Sequence, residues 1–195
     1  HGFQAVKPFI HTDRKIALIE ELAACGIQRL ELGSFVSPKA LPQLADTPEI
    51  LERARLPKRL RVNVLVRNGK GLQLALNAGV KEISWVISVS ESHNRSNVNR
   101  SVDESFANFA QAWGALGADR PRLRLGLSTC FDCPWEGRIP EDSVIRCVER
   151  DPGALVAAEA SAVRDYGDAP GAVGHEAHSI EGILGDRHIG LAPLQ

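Results

Sequence analysis

The chain has 195 residues, 44% of them hydrophobic and 24% charged, with a formal net charge of −1. This composition suits a globular domain with one sizeable core and excludes the strongly basic surface of a nucleic-acid-binding protein. No apolar run approaches the ~20 residues of a membrane span and no signal-peptide pattern opens the sequence, so a cytoplasmic protein without a membrane partner is expected.

In chain order, Thr12 is the natural N-cap of a helix over Asp13–Cys25, with Ile16, Ile19 and Leu22 on one face and Gly26 as its stop. An apolar strand over Gln28–Gly33 follows, then the loop "SFVSPKALPQLAD" from Ser34 to Asp46, with a Phe that reads as exposed. Thr47 caps a short helix over Pro48–Arg55, with Pro48 at its first position. Next come a strand over Leu60–Val66, a helix over Lys70–Ala78 ended by Gly79, and a strand over Glu82–Val89. "SESHNRSNVNR" then reads as a long polar loop. It leads into a helix that opens with a capping box, Ser101 with Glu104, and carries Phe106, Phe109 and Trp113 on its apolar positions. A fourth strand over Arg122–Ser128 and helices over Pro140–Arg150 and Ala154–Tyr166 complete the reading.

Strands alternating with helices predict a parallel sheet with crossover helices in one α/β domain. Residues 1–150 hold the clear β/α units and 151–195 the C-terminal part. Polar residues follow each strand: Ser34–Lys39, Arg67-Asn68, Ser90-Glu91 and Thr129–Glu136. Several polar strand ends suit the rim of a (β/α)8 TIM barrel, whereas an open doubly wound sheet gathers its ligand at one switch point and would want a glycine-rich loop after its first strand. The expected fold is therefore a TIM barrel, incomplete in these 195 residues, because a whole one needs about 250.

The four cysteines do not form a disulfide framework; Cys25 and Cys147 read as buried thiols. Cys130-x-x-Cys133 could be a redox pair or half of a zinc site, but it sits beside Pro134 and Gly137 with no second CxxC, so a packed strand-end loop is expected. "GHEAHSIEG" places His175 and His178 three apart, not the four of a zinc-protease helix, and a surface pair is the plainer reading. On the long polar loop most side chains read as solvated. Ser90 and Glu91, nearest the strand, are its ligand-facing candidates.

Together, "SFVSPKALPQLAD", "VRNGKGLQLALNAGVKEI", "SVSESHNRSNVNRSVDESF" and "LSTCFDCPWEGRIP" resemble the 3-hydroxy-3-methylglutaryl-CoA lyase family of the DRE-TIM metallolyases, over residues 1 to about 145. The resemblance implies a barrel with a divalent cation, magnesium or manganese, at its C-terminal face, and an acyl-CoA substrate. It implies a retro-Claisen cleavage that releases acetyl-CoA, and it allows a homodimer. The family's first strand ends in Arg-Asp-Gly-Leu-Gln. Here "HGFQ" matches its last four positions, so that Gln4 is kept, His1 stands at the metal-ligand Asp and no Arg precedes it.

Glu31 and Ser34 also match, Glu31 as the catalytic-site carboxylate that orients groups there and Ser34 in the substrate loop. Asn68, Ser90 and Thr129 are the further substrate-binding candidates. In "DAPGAVGHEAHSIEGIL", His175 replaces an Asn metal ligand and Ser179 an acidic residue. The family's His-x-His pair and its glycine-rich loop with the catalytic Cys have no match, and Cys130 and Cys133 belong to a different motif.

Two accounts follow. The 195 residues are a longer enzyme with segments missing, consistent with the absence of Met and the abrupt opening, or they are a shortened and diverged barrel. The first is expected, since half a barrel exposes sheet edges. The corresponding activities are a metal-dependent C–C lyase, a related condensing synthase, or a silent barrel that binds a ligand or partner.

Overall fold

The computed structural model describes residues 3–4, 6–117 and 120–150. In order these form α1 (Thr12–Ala24), β1 (Arg29–Ser34), α2 (Thr47–Arg53), β2 (Arg61–Val66), α3 (Gly69–Asn77), β3 (Glu82–Ser88), α4 (Glu91–Val98), α5 (Val102–Gly114), β4 (Arg122–Ser128), β5 (Asp132–Cys133), β6 (Gly137–Arg138) and α6 (Glu141–Glu149). The sheet runs β1-β2-β3-β4, with β1–β2 and β2–β3 parallel. Sequential strands joined through helices in this order are successive β/α units of a TIM barrel. No helix among the described residues is long and apolar enough to cross a membrane.

The chain divides into two compact units. One runs to Trp85 and takes in Asn108–Leu123; the other holds Val86–Ala107 and resumes at Arg124. In the first, Ile19 of α1, Leu32 of β1 and Ile50 of α2 form a buried cluster, with Leu30 and Val62 packed against it. Even-numbered residues of β1 and β2 thus face the helices. Their odd-numbered neighbours Glu31 and Asn63 point to the opposite face, as the two-residue period of a strand dictates. Trp85 is buried edge-on against Phe109, their ring centroids 5.2 Å apart, and Phe109 stacks on Trp113. In the second unit β4 alternates: Leu125 and Leu127 are buried, while Arg124, Gly126 and Ser128 are half-buried. The alternation leaves a polar face.

Several local expectations are corrected. Thr12 is the first residue of α1, not its cap; its hydroxyl donates to Asp46 Oδ2 at 2.9 Å instead. Thr47 likewise begins α2. Its Oγ1 donates to Leu44 O at 2.8 Å and accepts from Ser34 N at 3.2 Å. Leu22 is exposed on α1 while Ile19 is buried, so the apolar stripe is narrower than its spacing suggested. Cys25 is exposed, because it lies at the C-terminal end of α1 beyond the packed face; Cys147 is buried as expected. Phe35 is buried as well. Gly26 and Gly79 end their helices at φ of +85° and +74°, a left-handed conformation that glycine adopts freely.

The larger correction concerns "ESHNRSNV", expected as loop and found as α4. Its weakly apolar sequence gives little helical periodicity, yet its ends are strongly specified. Ser90 Oγ accepts from His93 N at 3.1 Å as the N-cap, and Asn99 ends the helix in the left-handed region. Asn94, buried within it, accepts from Ser88 N and donates to Arg100 O, Ser101 O and Ser105 Oγ. The Ser101–Glu104 capping box at the start of α5 is present with both of its bonds, at 2.7 and 3.0 Å. The helix expected over Ala154–Tyr166 lies outside the described residues.

Candidate functional site

In the first unit, two of the candidates, Glu31 and Ser34, lie on β1, with Ser34 at its C-terminal end. Glu31 Oε2 accepts from Asn63 Nδ2 at 3.3 Å, and the same amide nitrogen reaches Ser84 Oγ at 2.5 Å. Asn63 and Ser84 are buried and Glu31 is half-buried, so the carboxylate is held from behind by a buried amide. A register irregularity between Glu31 and Gly33 interrupts the β1–β2 pairing, which resumes at Gly33 and Ser34 before the loop begins. Ser34 is buried with its backbone N–H on Thr47, and its Oγ, like Asn63 Oδ1, has no hydrogen-bond partner among the described residues.

The loop after Ser34 is held in three places. Phe35 N donates to Leu65 O at 2.9 Å. Gly71 in the first turn of α3 packs so tightly that a Cβ there would meet Phe35 O at 2.5 Å. At the far end, the fully buried Lys15 donates to Gln43 O and to the Asp46 carboxylate and lies over the Phe9 ring. Gln43 in turn accepts from Ile10 N and donates to Val6 O and Pro8 O. A loop rich in Pro and Ser is thereby made rigid by a lysine and a glutamine.

Asn68 is the N-cap of α3, its Oδ1 accepting from Gly71 N at 2.8 Å. That bond commits the Asn68 side-chain oxygen to the fold. Beside it, half-buried Arg67 follows β2 directly, and burial holds its pKa below the usual guanidinium value. Gln4 is exposed in a turn ahead of α1. His1 and His175 lie outside the described residues.

In the second unit, Ser90 and Thr129 come together: Thr129 Oγ1 accepts from Ser90 N at 3.2 Å and donates to Ser128 O at 2.6 Å. Thr129 has φ of 56°, a costly conformation for a β-branched residue, of order 1–3 kcal/mol, and such strain gathers at functional strand ends. Ser90 Oγ donates to Cys133 Sγ at 2.9 Å, and Trp135 N donates to the same sulfur. Cys133 thus sits in the β5–β6 hairpin as a buried acceptor, the packed strand-end loop the sequence suggested. Glu136 accepts from Ser92 N, and that bond pulls its carboxyl below the usual range.

Sequence reasoning passed over Asn63, Ser84, Ser88, Ser128 and His93. The signal was present for the strand residues, since a polar side chain at alternate positions of an apolar strand marks a face that does not meet the helices. His93 was read as part of a solvated loop. It is half-buried, its Nδ1 2.7 Å from Ser88 Oγ, with Trp135 against its ring. Among the described residues no group of three or more His, Cys, Asp or Glu side chains is placed to hold a metal ion.

A β/α sheet of barrel order, with polar side chains at the C-terminal strand ends, defines the class, and comparison with known proteins narrows it. The HMGL-like family profile matches residues 1–163, and the chain belongs to that family. It is 36% identical over 148 residues to the hydroxymethylglutaryl-CoA lyase YngG of Bacillus subtilis, covering 76% of this chain and 50% of that protein. It is 36% identical over 149 residues to the mitochondrial hydroxymethylglutaryl-CoA lyase of Mus musculus, covering 76% and 46%.

Among solved structures, the HMG-CoA lyase from Brucella melitensis matches with a TM-score of 0.72 and 38% identity, over 76% of this chain and 53% of that one. An Acinetobacter baumannii HMG-CoA lyase in complex with coenzyme A and 3-methylmalate matches with a TM-score of 0.73 and 36% identity, over 76% and 48%. The chain spans about half the length of the relatives it matches. Its fold is accordingly a TIM barrel of this family, incomplete in the 195 residues.

Proposed function

We propose that this protein takes part in metal-dependent carbon–carbon bond cleavage of a 3-hydroxy-3-methylglutaryl-CoA-like thioester, releasing acetyl-CoA. The observation that carries the reading is the rigidly held loop Ser34–Asp46 beside Glu31, in a chain of the HMGL-like family. A solved relative holding coenzyme A supports an acyl-CoA ligand. A cytoplasmic location, a homodimer and the absence of nucleic-acid and membrane partners belong to the same reading.

In the reaction a base removes the proton of the C3 hydroxyl, the C2–C3 bond breaks, and its electron pair passes into the thioester enolate. Glu31, oriented by Asn63, accepts hydrogen bonds from hydroxyl or water at the end of β1. The Ser34 hydroxyl, the Asn68 amide nitrogen and the Gln4 amide donate to acyl or carboxylate oxygens. In the second unit Ser90 and Thr129, whose hydroxyl protons go to Cys133 Sγ and Ser128 O, shape the strand ends on the substrate side. A divalent cation, magnesium or manganese, would stabilise alkoxide charge in such chemistry. The described residues do not by themselves provide its ligand set, and His1 and His175 are the proposed additions.

The test is release of acetyl-CoA from 3-hydroxy-3-methylglutaryl-CoA by the full-length protein with added magnesium or manganese. Release supports the lyase. Thioester binding without release would favour the second reading, a silent barrel, for which His at both expected metal positions argues. Formation of the thioester from acetyl-CoA and a keto acid would point instead to the synthase.

A further inference from the structure

We propose that Ser128, Ser88 and His93 form a proton relay that reprotonates the enolate produced by carbon–carbon cleavage. The inference rests on the lyase reading above and assigns it a proton path. The three side chains are hydrogen-bonded in series: Ser128 Oγ lies 2.9 Å from Ser88 Oγ, and Ser88 Oγ lies 2.7 Å from His93 Nδ1. Either hydroxyl can donate across the first contact, and the imidazole tautomer sets the direction of the second, so the chain can run either way.

Its two ends differ in a way a relay needs. Ser128 is half-buried on the polar face of β4, opposite the buried Leu127, at the C-terminal strand end where barrel enzymes hold their ligands. Ser88, the middle member, is fully buried, which keeps solvent from competing for its proton. His93 is half-buried, and its ring meets the exposed Trp135 at a centroid distance of 5.7 Å. Its backbone is fixed by the Ser90 cap, and Asn94 ties the next residue of α4 to Ser88 N, so helix and strand hold the ring in register with the hydroxyl. On its helix Glu91 and Arg95 are paired at 3.7 Å, and Glu136 accepts from the N–H of the preceding residue, Ser92.

The proton balance closes without a co-reactant other than water. Ser128 gives its hydroxyl proton to C2 of the enolate, Ser88 reprotonates Ser128, and the Nδ1–H of imidazolium His93 reprotonates Ser88. The neutral imidazole then takes a proton from water. His93 and Ser88 act through Ser128 and are positioning residues in this scheme.

The experiment compares the full-length protein with its His93→Phe, Ser88→Ala and His93→Ala variants. It reads thioester cleavage and the exchange of acetyl-CoA methyl protons for deuterium in heavy water. His93→Phe keeps a ring against Trp135, and a thermal melt reports whether each variant is folded. Folded His93→Phe and Ser88→Ala should lose exchange and kcat by about 10²-fold or more, with KM little changed. Added imidazole should restore part of the exchange in His93→Ala and none in Ser88→Ala. Wild-type exchange in the folded variants, or a loss confined to KM, overturns the relay and leaves the lyase standing. If the wild-type protein neither cleaves nor exchanges, lyase and relay fall together.

Discussion

Lys15 Nζ lies 2.9 Å from both carboxylate oxygens of Asp46, and both side chains are almost entirely removed from water. The pair joins α1 to the end of the Ser34–Asp46 loop, with Gln43 O and the Phe9 ring completing the ammonium's surroundings. Removing one member of a buried pair strands the other, at a cost of about 3–5 kcal/mol. Lys15→Met should therefore lose stability of that order in a urea titration. The double variant Lys15→Met with Asp46→Leu should recover much of the loss, because no lone charge is left behind.

Ser34 and Thr47 separate a ligand contact from a fold contact. Ser34 Oγ is buried and makes no hydrogen bond among the described residues, whereas Thr47 Oγ1 links Ser34 N to Leu44 O. Ser34→Ala should leave the melting temperature unchanged or slightly raised, since an unsatisfied buried hydroxyl is unfavourable. The same change should weaken thioester binding, read by calorimetry. Thr47→Val should do the reverse and cost about 1–3 kcal/mol of stability. Unaltered affinity in Ser34→Ala would take that hydroxyl out of the site.

The alternation of element types was legible because it depends on local spacing: strands at the expected places, glycine stops at Gly26 and Gly79, and the Ser101–Glu104 box. Glu31 and Ser34 could be named because the loop beginning at Ser34 is a continuous motif. The Glu31–Asn63–Ser84 row was not legible, since its members lie on three strands and meet only through register. Nothing local marks Lys15 either, its partners being 28 and 31 positions away. Helix α4 was missed because capping bonds and the buried Asn94 specify it, while apolar periodicity is what the eye follows.

Gly71 is required by a close approach. A Cβ there would meet the Phe35 carbonyl oxygen at 2.5 Å, and a backbone oxygen cannot swing aside as a side chain can. Gly71→Ala must push the loop away from α3, at about 1–3 kcal/mol by analogy with overpacking. Hydrogen exchange should show faster opening at Phe35, whose amide is bonded to Leu65 O. Protection unchanged at Phe35 would mean that α3 gives way instead of the loop.

Thiol chemistry offers a check on the packing of the strand-end loop. Burial, with the nearby Cys147 adding to it, pushes the Cys130 thiol up to about 12, and burial raises Cys147 as well. Cys25 is exposed. In the native protein near neutral pH, a thiol reagent should modify Cys25 quickly and the three buried cysteines only on denaturation. The raised pKa has a stability consequence of definite sign: the folded state keeps its Cys130 proton after the unfolded chain, ionising near 9, has released it. This contribution is fully present below pH 9 and is lost as pH rises toward 12, with a slope approaching ~1.4 kcal/mol per pH unit. Urea midpoints measured upward from pH 8 should fall accordingly, and Cys130→Ala should flatten the fall. A variant whose midpoints decline as steeply as the parent's would place the alkaline sensitivity elsewhere, with Cys147 the next thiol to replace.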